Sequence, residues 1–194
     1  VICPADGKPI AQIAEAGKVD AEKALEAAQK GFEFWSKCSL SERTQWMLKL
    51  REAVLENEHL LRCAIVYEMG KTYDAAWEDI EAVVNALEWY PNAMKNLRDE
   101  LIPDYENTHT HKMIQQPAGV AVAYLAWNFP LLNVGFKLGP ALASGCSIRG
   151  KIQSPAAAGS LFSRCKLTRC RPEISFVKIV FRLRKPTTTS LAAR

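Results

Sequence analysis

The residues Ala126-Trp127-Asn128-Phe129-Pro130 place a carboxamide at the junction of two apolar runs. The run before it, Gly119 to Leu125 (GVAVAYL), is short, rich in Val and Ala, and preceded by Pro117. Such a run reads as a buried strand. A second apolar segment begins at Leu131, and Pro130 suits the first turn of a helix, where a missing N–H is no loss. Asn128 is therefore expected at a strand-to-helix turn, its amide beside the free backbone N–H groups of a helix N-terminus. Two roles fit that position. The amide could serve an anion or a developing oxyanion, or it could cap the helix that follows. Spacing alone leaves both open.

The other residue types able to do chemistry are scattered. Six cysteines stand at 3, 38, 63, 146, 165 and 170, with no regular framework. Cys165-x4-Cys170 lacks the paired spacing of a zinc site, and His109 and His111 lie in a different segment, so no metal is expected. A chain of 194 residues with 48% hydrophobic content can build a core without disulfides. With no signal peptide visible, reduced thiols in the cytoplasm or an organelle matrix are expected.

The elements that must position these residues are mostly helical. Residues Ile2 to Ile13 alternate weakly around Asp6-Gly7, as a hairpin would. A helix is predicted from about Val19 to Phe34, with Ala21, Ala24, Leu25, Ala28 and Phe32 on one face. Ser39 to Glu42 (SLSE) is a capping box that opens a second helix, striped by Trp46, Met47, Leu50 and Val54 and ended by Asn57. A third, Glu58 to Met69, turns Leu61, Ala64, Ile65 and Glu68 to one side and stops at Gly70. A fourth runs from about Tyr73 to Arg98 with Ala76, Ile80, Val83, Val84 and Leu87 inward, and Pro91 should kink or interrupt it. Thr108 to Ile114 (THTHKMI) reads as an exposed edge strand that needs a partner, with its histidines on the strand surface.

The run from Gly119 to Cys146 (GVAVAYLAWNFPLLNVGFKLGPALASGC) resembles the start of the cofactor domain of the NAD(P)-dependent aldehyde dehydrogenase superfamily. Members carry a strand, a Pro-Trp-Asn-Phe-Pro turn, and a helix closing on Lys-Leu-x-Pro-Ala-Leu-Ala-x-Gly. Ala126 replaces the first Pro, while Trp127 to Pro130 match, as do Lys137, Leu138, Pro140 to Ala143 and Gly145. Upstream, Pro4-Ala5-Asp6-Gly7-Lys8 resembles the family's opening, and Glu68-Met69-Gly70-Lys71 its Glu-x-Gly-Lys. The resemblance covers residues 1 to about 148 and implies an α/β fold. An N-terminal helical segment would lead into the start of a Rossmann-like parallel sheet, truncated, followed by a basic tail expected to be irregular. It also implies an oxidoreductase acting on an aldehyde with NAD or NADP. Asn128 would then donate to the oxyanion, backbone groups of Leu125, Ala126 and Trp127 would approach the cofactor, and Lys151 would contact its adenosine ribose. The segment Thr108 to Ile114 would match a strand used in subunit contact, so a homo-oligomer or association with full-length subunits is the expected partnership.

Past that point the pattern departs from the family. Arg149 and Gly150 replace two buried apolar positions, Ile152 replaces a Pro, and Cys146 stands where members have Asn. No Gly-Ser/Thr-x-x-x-Gly turn, Glu-Leu-Gly-Gly base motif or Gly-Gln-x-Cys nucleophile is present in the 194 residues, so the chain alone is expected to be inactive. From Ser147 onward eleven Lys or Arg face a single acid, Glu173, whereas the first 146 residues hold fourteen basic and twenty acidic groups. The overall charge of +4 conceals this seam. Residues 1–148 are read as part of a cofactor domain and 149–194 as a divergent tail, such as a shifted reading frame or an alternative exon produces. The charge also fits a tail for nucleic acid or anionic lipid, but nucleic acid is not the expected partner. Ile174 to Phe181 is too short to span a membrane. With few periodic apolar positions and strong self-repulsion, the tail cannot offset its ordering entropy. Brief trypsin treatment should cut between Arg164 and Arg171 and leave a resistant remainder; equal protection of both parts in hydrogen exchange would contradict this.

Overall fold

In a computed structural model, residues 1–11, 17–106 and 108–152 are described, with residues 151–152 described by their backbone alone. Residues 153–194, with Cys165 and Cys170, lie outside them. Five helices and four strands follow in order: α1 Lys18–Trp35, α2 Leu40–Glu56, α3 Glu58–Met69, α4 Trp77–Met94, β1 Glu100–Ile102, β2 His111–Met113, β3 Val120–Leu125, α5 Pro130–Ala143 and β4 Ser147–Ile152. The fold is thus a helical N-terminal part leading into a parallel strand–helix–strand unit. Among the described residues the N-terminal hairpin shows one antiparallel bridge, Ile2 with Pro9.

Local chemistry sets the helix ends. Ser39 caps α2, its hydroxyl accepting from the Glu42 N–H while Glu42 accepts from the Ser39 N–H at 2.8 Å. The Ser39 backbone and hydroxyl donors hold the Glu42 carboxyl below its ordinary range. The capping contribution is therefore present above the ordinary carboxylate pKa and fades as pH falls through the lowered one. Gly70, in the left-handed region at φ 72°, ends α3 and releases the chain toward Lys71.

Two helices differ from their sequence-based outlines. On α1 the buried residues are Gly31 and Trp35, with Ala24, Ala28 and Phe32 half-buried, while Ala21 and Leu25 face solvent. Trp35 decides that rotation: its indole N–H donates to the Leu142 carbonyl at 2.9 Å, a buried bond to the last turn of α5. On α4 the helix passes through Pro91 and ends at Met94. Near the helix C-terminus the missing N–H removes one bond from the ladder, and the Pro91 ring is itself fully buried. The residues 73–76 form a turn ahead of α4, so the helix starts later than its periodicity suggests.

The core gathers Met47, Leu50 and Val54 of α2, Leu61 and Ile65 of α3, Ile80, Val83 and Leu87 of α4, and Leu131, Val134, Leu138 and Leu142 of α5. Strands β3 and β4 pair in parallel from Val120 opposite Ser147 to Leu125 opposite Ile152. The strand β4 forms across the point where the sequence departs from the family pattern. Backbone pairing supplies the strand, while Arg149 and Gly150 lie exposed and Ile148 half-buried. The Ser147 hydroxyl ties β4 to α1 by donating to the Ala28 carbonyl at 2.9 Å. Strands β1 and β2 form a separate antiparallel ribbon, Glu100 opposite Met113, with every residue exposed.

Helices α4 and α5 approach closely because α5 presents glycine there. A Cβ on Gly135 would stand 2.9 Å from the Val83 Cα and 3.1 Å from the Ala82 carbonyl oxygen. A Cβ on Gly139 would meet the Tyr90 ring at 2.4 Å, a side chain that can turn away. Gly135→Ala should therefore cost about 1–3 kcal/mol, as overpacking against backbone does, and Gly139→Ala should cost less. Urea unfolding of both variants checks the order; a Gly135→Ala protein as stable as the parent would remove backbone contact as the reason for glycine.

Candidate functional site

Strand β3 buries Ala123 and Leu125 and exposes Val122 and Tyr124, the period-two alternation of a pleated strand. After Leu125 the chain leaves the sheet at Ala126, bends through residues 127–129, and enters α5 at Pro130. The N-cap of α5 is Phe129, at φ −138° and ψ 72°, and its side chain makes no capping hydrogen bond. Asn128 is therefore not the cap of α5. Asn128 precedes the cap, lies exposed, and has no hydrogen-bond partner among the described residues. Its amide is not committed to the helix.

The helix N-terminus is only partly free, because one of its N–H groups is already bonded. The Leu132 N–H donates to Asp79 Oδ1 at 3.1 Å, and Lys71 Nζ stands 2.6 Å from Asp79 Oδ2. Asp79 is fully buried on α4, and Lys71 is largely buried. A carboxylate taken from water requires such partners, and the positive end of a helix supplies one of them. Lys71 also lies 3.4 Å from the centroid of the Phe129 ring, a cation–π contact. These residues were missed as site residues. The available signal was an acid on the apolar stripe of α4, between Ala76 and Ile80, because an acid buried there must have a partner.

The parallel pairing brings the expected cofactor residues to one edge. Leu125 pairs with Ile152 and Tyr124 with Lys151, so the carboxyl ends of both strands open beside the turn. In parallel α/β sheets that edge is where ligands bind. The Leu125 side chain is buried, leaving only its backbone toward that edge, while Ala126 and Trp127 are exposed. The Lys151 side chain lies outside the described residues.

The four described cysteines do not join this edge. Cys3, Cys38, Cys63 and Cys146 are free thiols, with Cys3 and Cys146 buried. Burial, with Glu42 nearby, pushes the Cys38 thiol up against the opposing pull of Arg43, which disfavours a nucleophilic thiolate. His109 and His111 stack with centroids 6.2 Å apart, and among the described residues no cluster of metal-ligating side chains forms. An apolar groove of about 530 Å³, lined by Tyr90, Met94, Leu97, Ala121, Pro140 and Cys146, opens near the amino end of β3, away from Asn128. Among the described residues no helix is long and apolar enough to cross a membrane.

The sequence model of the aldehyde dehydrogenase family matches residues 1–176. The chain belongs to the aldehyde dehydrogenase family. The match runs past Ile148 and β4 into residues outside those described. The chain is 31% identical over 169 residues to a probable NADP(+) succinate-semialdehyde dehydrogenase of Sinorhizobium fredii, covering 86% of this chain and 34% of that protein. It is also 31% identical to a glutarate-semialdehyde dehydrogenase of Pseudomonas putida, over 81% of this chain and 33% of the relative. Among solved structures, betaine aldehyde dehydrogenase of Staphylococcus aureus in complex with NAD+ superposes with a TM-score of 0.75 at 28% identity. That superposition covers 79% of this chain and 31% of the other. The chain thus spans about a third of the length of these family members.

The exposed position of Asn128 sets its stability signature. Asn128→Ala should change unfolding free energy by less than about 0.5 kcal/mol, as surface substitutions without a special contact do. A capping Asn would cost about 1 kcal/mol, so a loss of that size on thermal melting would restore the cap reading.

Proposed function

We propose that this chain forms the N-terminal part of the cofactor-binding domain of an enzyme that oxidises an aldehyde to a carboxylic acid with NAD or NADP. The observation that carries this reading is the exposed, uncommitted Asn128 amide at the carboxyl end of a parallel strand. When a thiolate adds to an aldehyde carbonyl, the oxygen gains charge, and the Asn128 N–H groups can donate to it. An amide held in place before the reaction needs no reorganisation as that charge develops.

A dinucleotide fits the two-strand edge rather than the helix end. Pro130 has no N–H to offer, and the Leu132 N–H is spent on Asp79, so α5 offers a pyrophosphate fewer donors than the glycine-rich helix start of other dinucleotide folds. The backbone of Leu125, Ala126 and Trp127, together with Lys151, would instead hold one side of the cofactor. When bound, NAD or NADP would supply the hydride acceptor. The relatives carry different substrate names, so the reading stops at the aldehyde class. The thiolate and the base that activates water are not contributed by any cysteine or carboxylate in the family's motif setting within these 194 residues, and the chain alone is inactive in this reading. The charge shift supports a change of character near residues 148–149, although β4 and the family match run across it. Free thiols suit a cytoplasmic setting or an organelle matrix.

A second reading, association with full-length subunits as a non-catalytic module, is favoured by the β1–β2 ribbon. Its Leu101, Ile102 and Met113, with the adjoining Ile114, are exposed apolar residues on short strands with open edges.

The test uses a chimaera in which the C-terminal portion of an active family member follows Gly145. The 194-residue chain alone should give no aldehyde-dependent NADH or NADPH, whereas the chimaera should. Asn128→Ala in the chimaera should lower kcat by roughly 10²–10³-fold, the cost of one lost oxyanion donor, with cofactor affinity unchanged. Near-normal kcat in Asn128→Ala would retire the oxyanion role, and turnover by the isolated chain would retire its inactivity.

A further inference from the structure

We propose that Lys71 and Asp79 are positioning residues that aim Asn128 by locking its neighbour Phe129. The inference rests on the oxyanion role of Asn128 proposed above for its purpose, but its geometry stands apart from that role. Asn128 has no hydrogen bond of its own among the described residues to fix it, so its direction follows from the residue after it. Phe129 is held in three ways. Pro130 restricts its backbone to the extended side of the map, as the observed φ of −138° and ψ of 72° reflect. Its carbonyl accepts from the Asn133 backbone N–H at 3.0 Å and from Asn133 Nδ2 at 2.8 Å. Its ring lies under the Lys71 ammonium at 3.4 Å. The first two act within α5, and only the third reaches outside it.

Lys71 in turn is fixed by the buried Asp79 carboxylate, whose other oxygen takes the Leu132 N–H. One acid therefore holds both the start of α5 and the cation that holds the cap residue. The segment carrying Lys71 is braced from α3, where Arg62 Nε donates to the Tyr73 carbonyl at 3.0 Å and the guanidinium lies 3.8 Å from the Tyr73 ring. A pair of this kind suits positioning because both charges have a single low-energy arrangement in a largely dry setting.

The experiment is nuclear magnetic resonance on the isotope-labelled 194-residue chain. In the parent, the Lys71 ε-methylene protons should be shifted upfield by the Phe129 ring current, and Phe129→Leu should abolish that shift. Asp79→Asn keeps the volume and an acceptor for Leu132 but removes the charge. It should return the Lys71 resonances to the free-lysine position and displace the Asn128 side-chain amide and Trp127 indole resonances, with circular dichroism unchanged. Should Asp79→Asn fail to fold, Lys71→Met carries the test at a less buried position, and Lys71→Arg should restore the parent positions. A parent Lys71 without the ring-current shift would overturn the proposal. So would folded Asp79→Asn or Lys71→Met proteins that melt lower while Asn128 and Trp127 stay at their parent positions, the pattern of a merely structural pair. A chimaera whose kcat ignores Asn128→Ala would defeat the catalytic reading and leave these resonances unaffected, so the two failures are distinguishable.

Discussion

The Asp79 carboxylate has been removed from water entirely, and much of the local architecture answers to that fact. An isolated buried carboxylate is expensive, and losing one partner of such a group costs far more than a surface pair contributes. Asp79 is satisfied from two directions at once, by the Lys71 ammonium and by the Leu132 N–H. Meeting both demands pins three separate pieces of chain together: the segment after α3, the first turn of α4 and the first turn of α5. The strand-to-helix turn that carries Asn128 is therefore built against a fixed electrostatic anchor instead of hanging from the end of β3.

Packing completes what the anchor begins. Glycines on α5 let the helix lie against the α4 backbone, which fixes the distance between the Asp79 carboxylate and the α5 N-terminus. At the far end of α5, the Trp35 indole bond to the Leu142 carbonyl joins α1 to the same helix, and the Ser147 hydroxyl joins α1 to β4. α5 is held at both ends and along its face, so the turn preceding it has a defined place. Such rigidity suits a donor that must meet a charge only as it forms.

The contrast between the two ends of β3 bears on function. At its carboxyl end stand the exposed turn residues and the paired end of β4. Near its amino end the groove beside Tyr90, Met94 and Pro140 is mostly apolar, and the Ser144 hydroxyl in its lining is already bonded to the Ala141 carbonyl. Volume alone would direct attention to the groove, whereas donors and strand topology direct it to the turn. The exposed face of β3, with Val122 and Tyr124, is unusual for a parallel strand, since parallel sheets are covered on both faces.

Local rules were enough for several features read from sequence. The Ser39 capping box, the stop at Gly70, Pro130 in the first turn of α5, and the strand before it all depend on neighbours within a few residues. The family itself was legible in the run from Gly119 to Gly145, because turn and helix chemistry impose a long string of residue types. Three matters were decided only by the tertiary structure. The rotation of α1 toward Trp35 depended on a carbonyl more than a hundred residues away. The continuation of α4 through Pro91 depended on burial of the ring in a core built by other helices. The exclusion of Asn128 from the cap depended on where α5 starts in the folded chain, with Phe129 as the cap and the Leu132 N–H taken by an acid from α4. Sequence spacing states which groups are polar and what lies beside them along the chain; which of them remain unsatisfied is settled only when distant elements have claimed their partners.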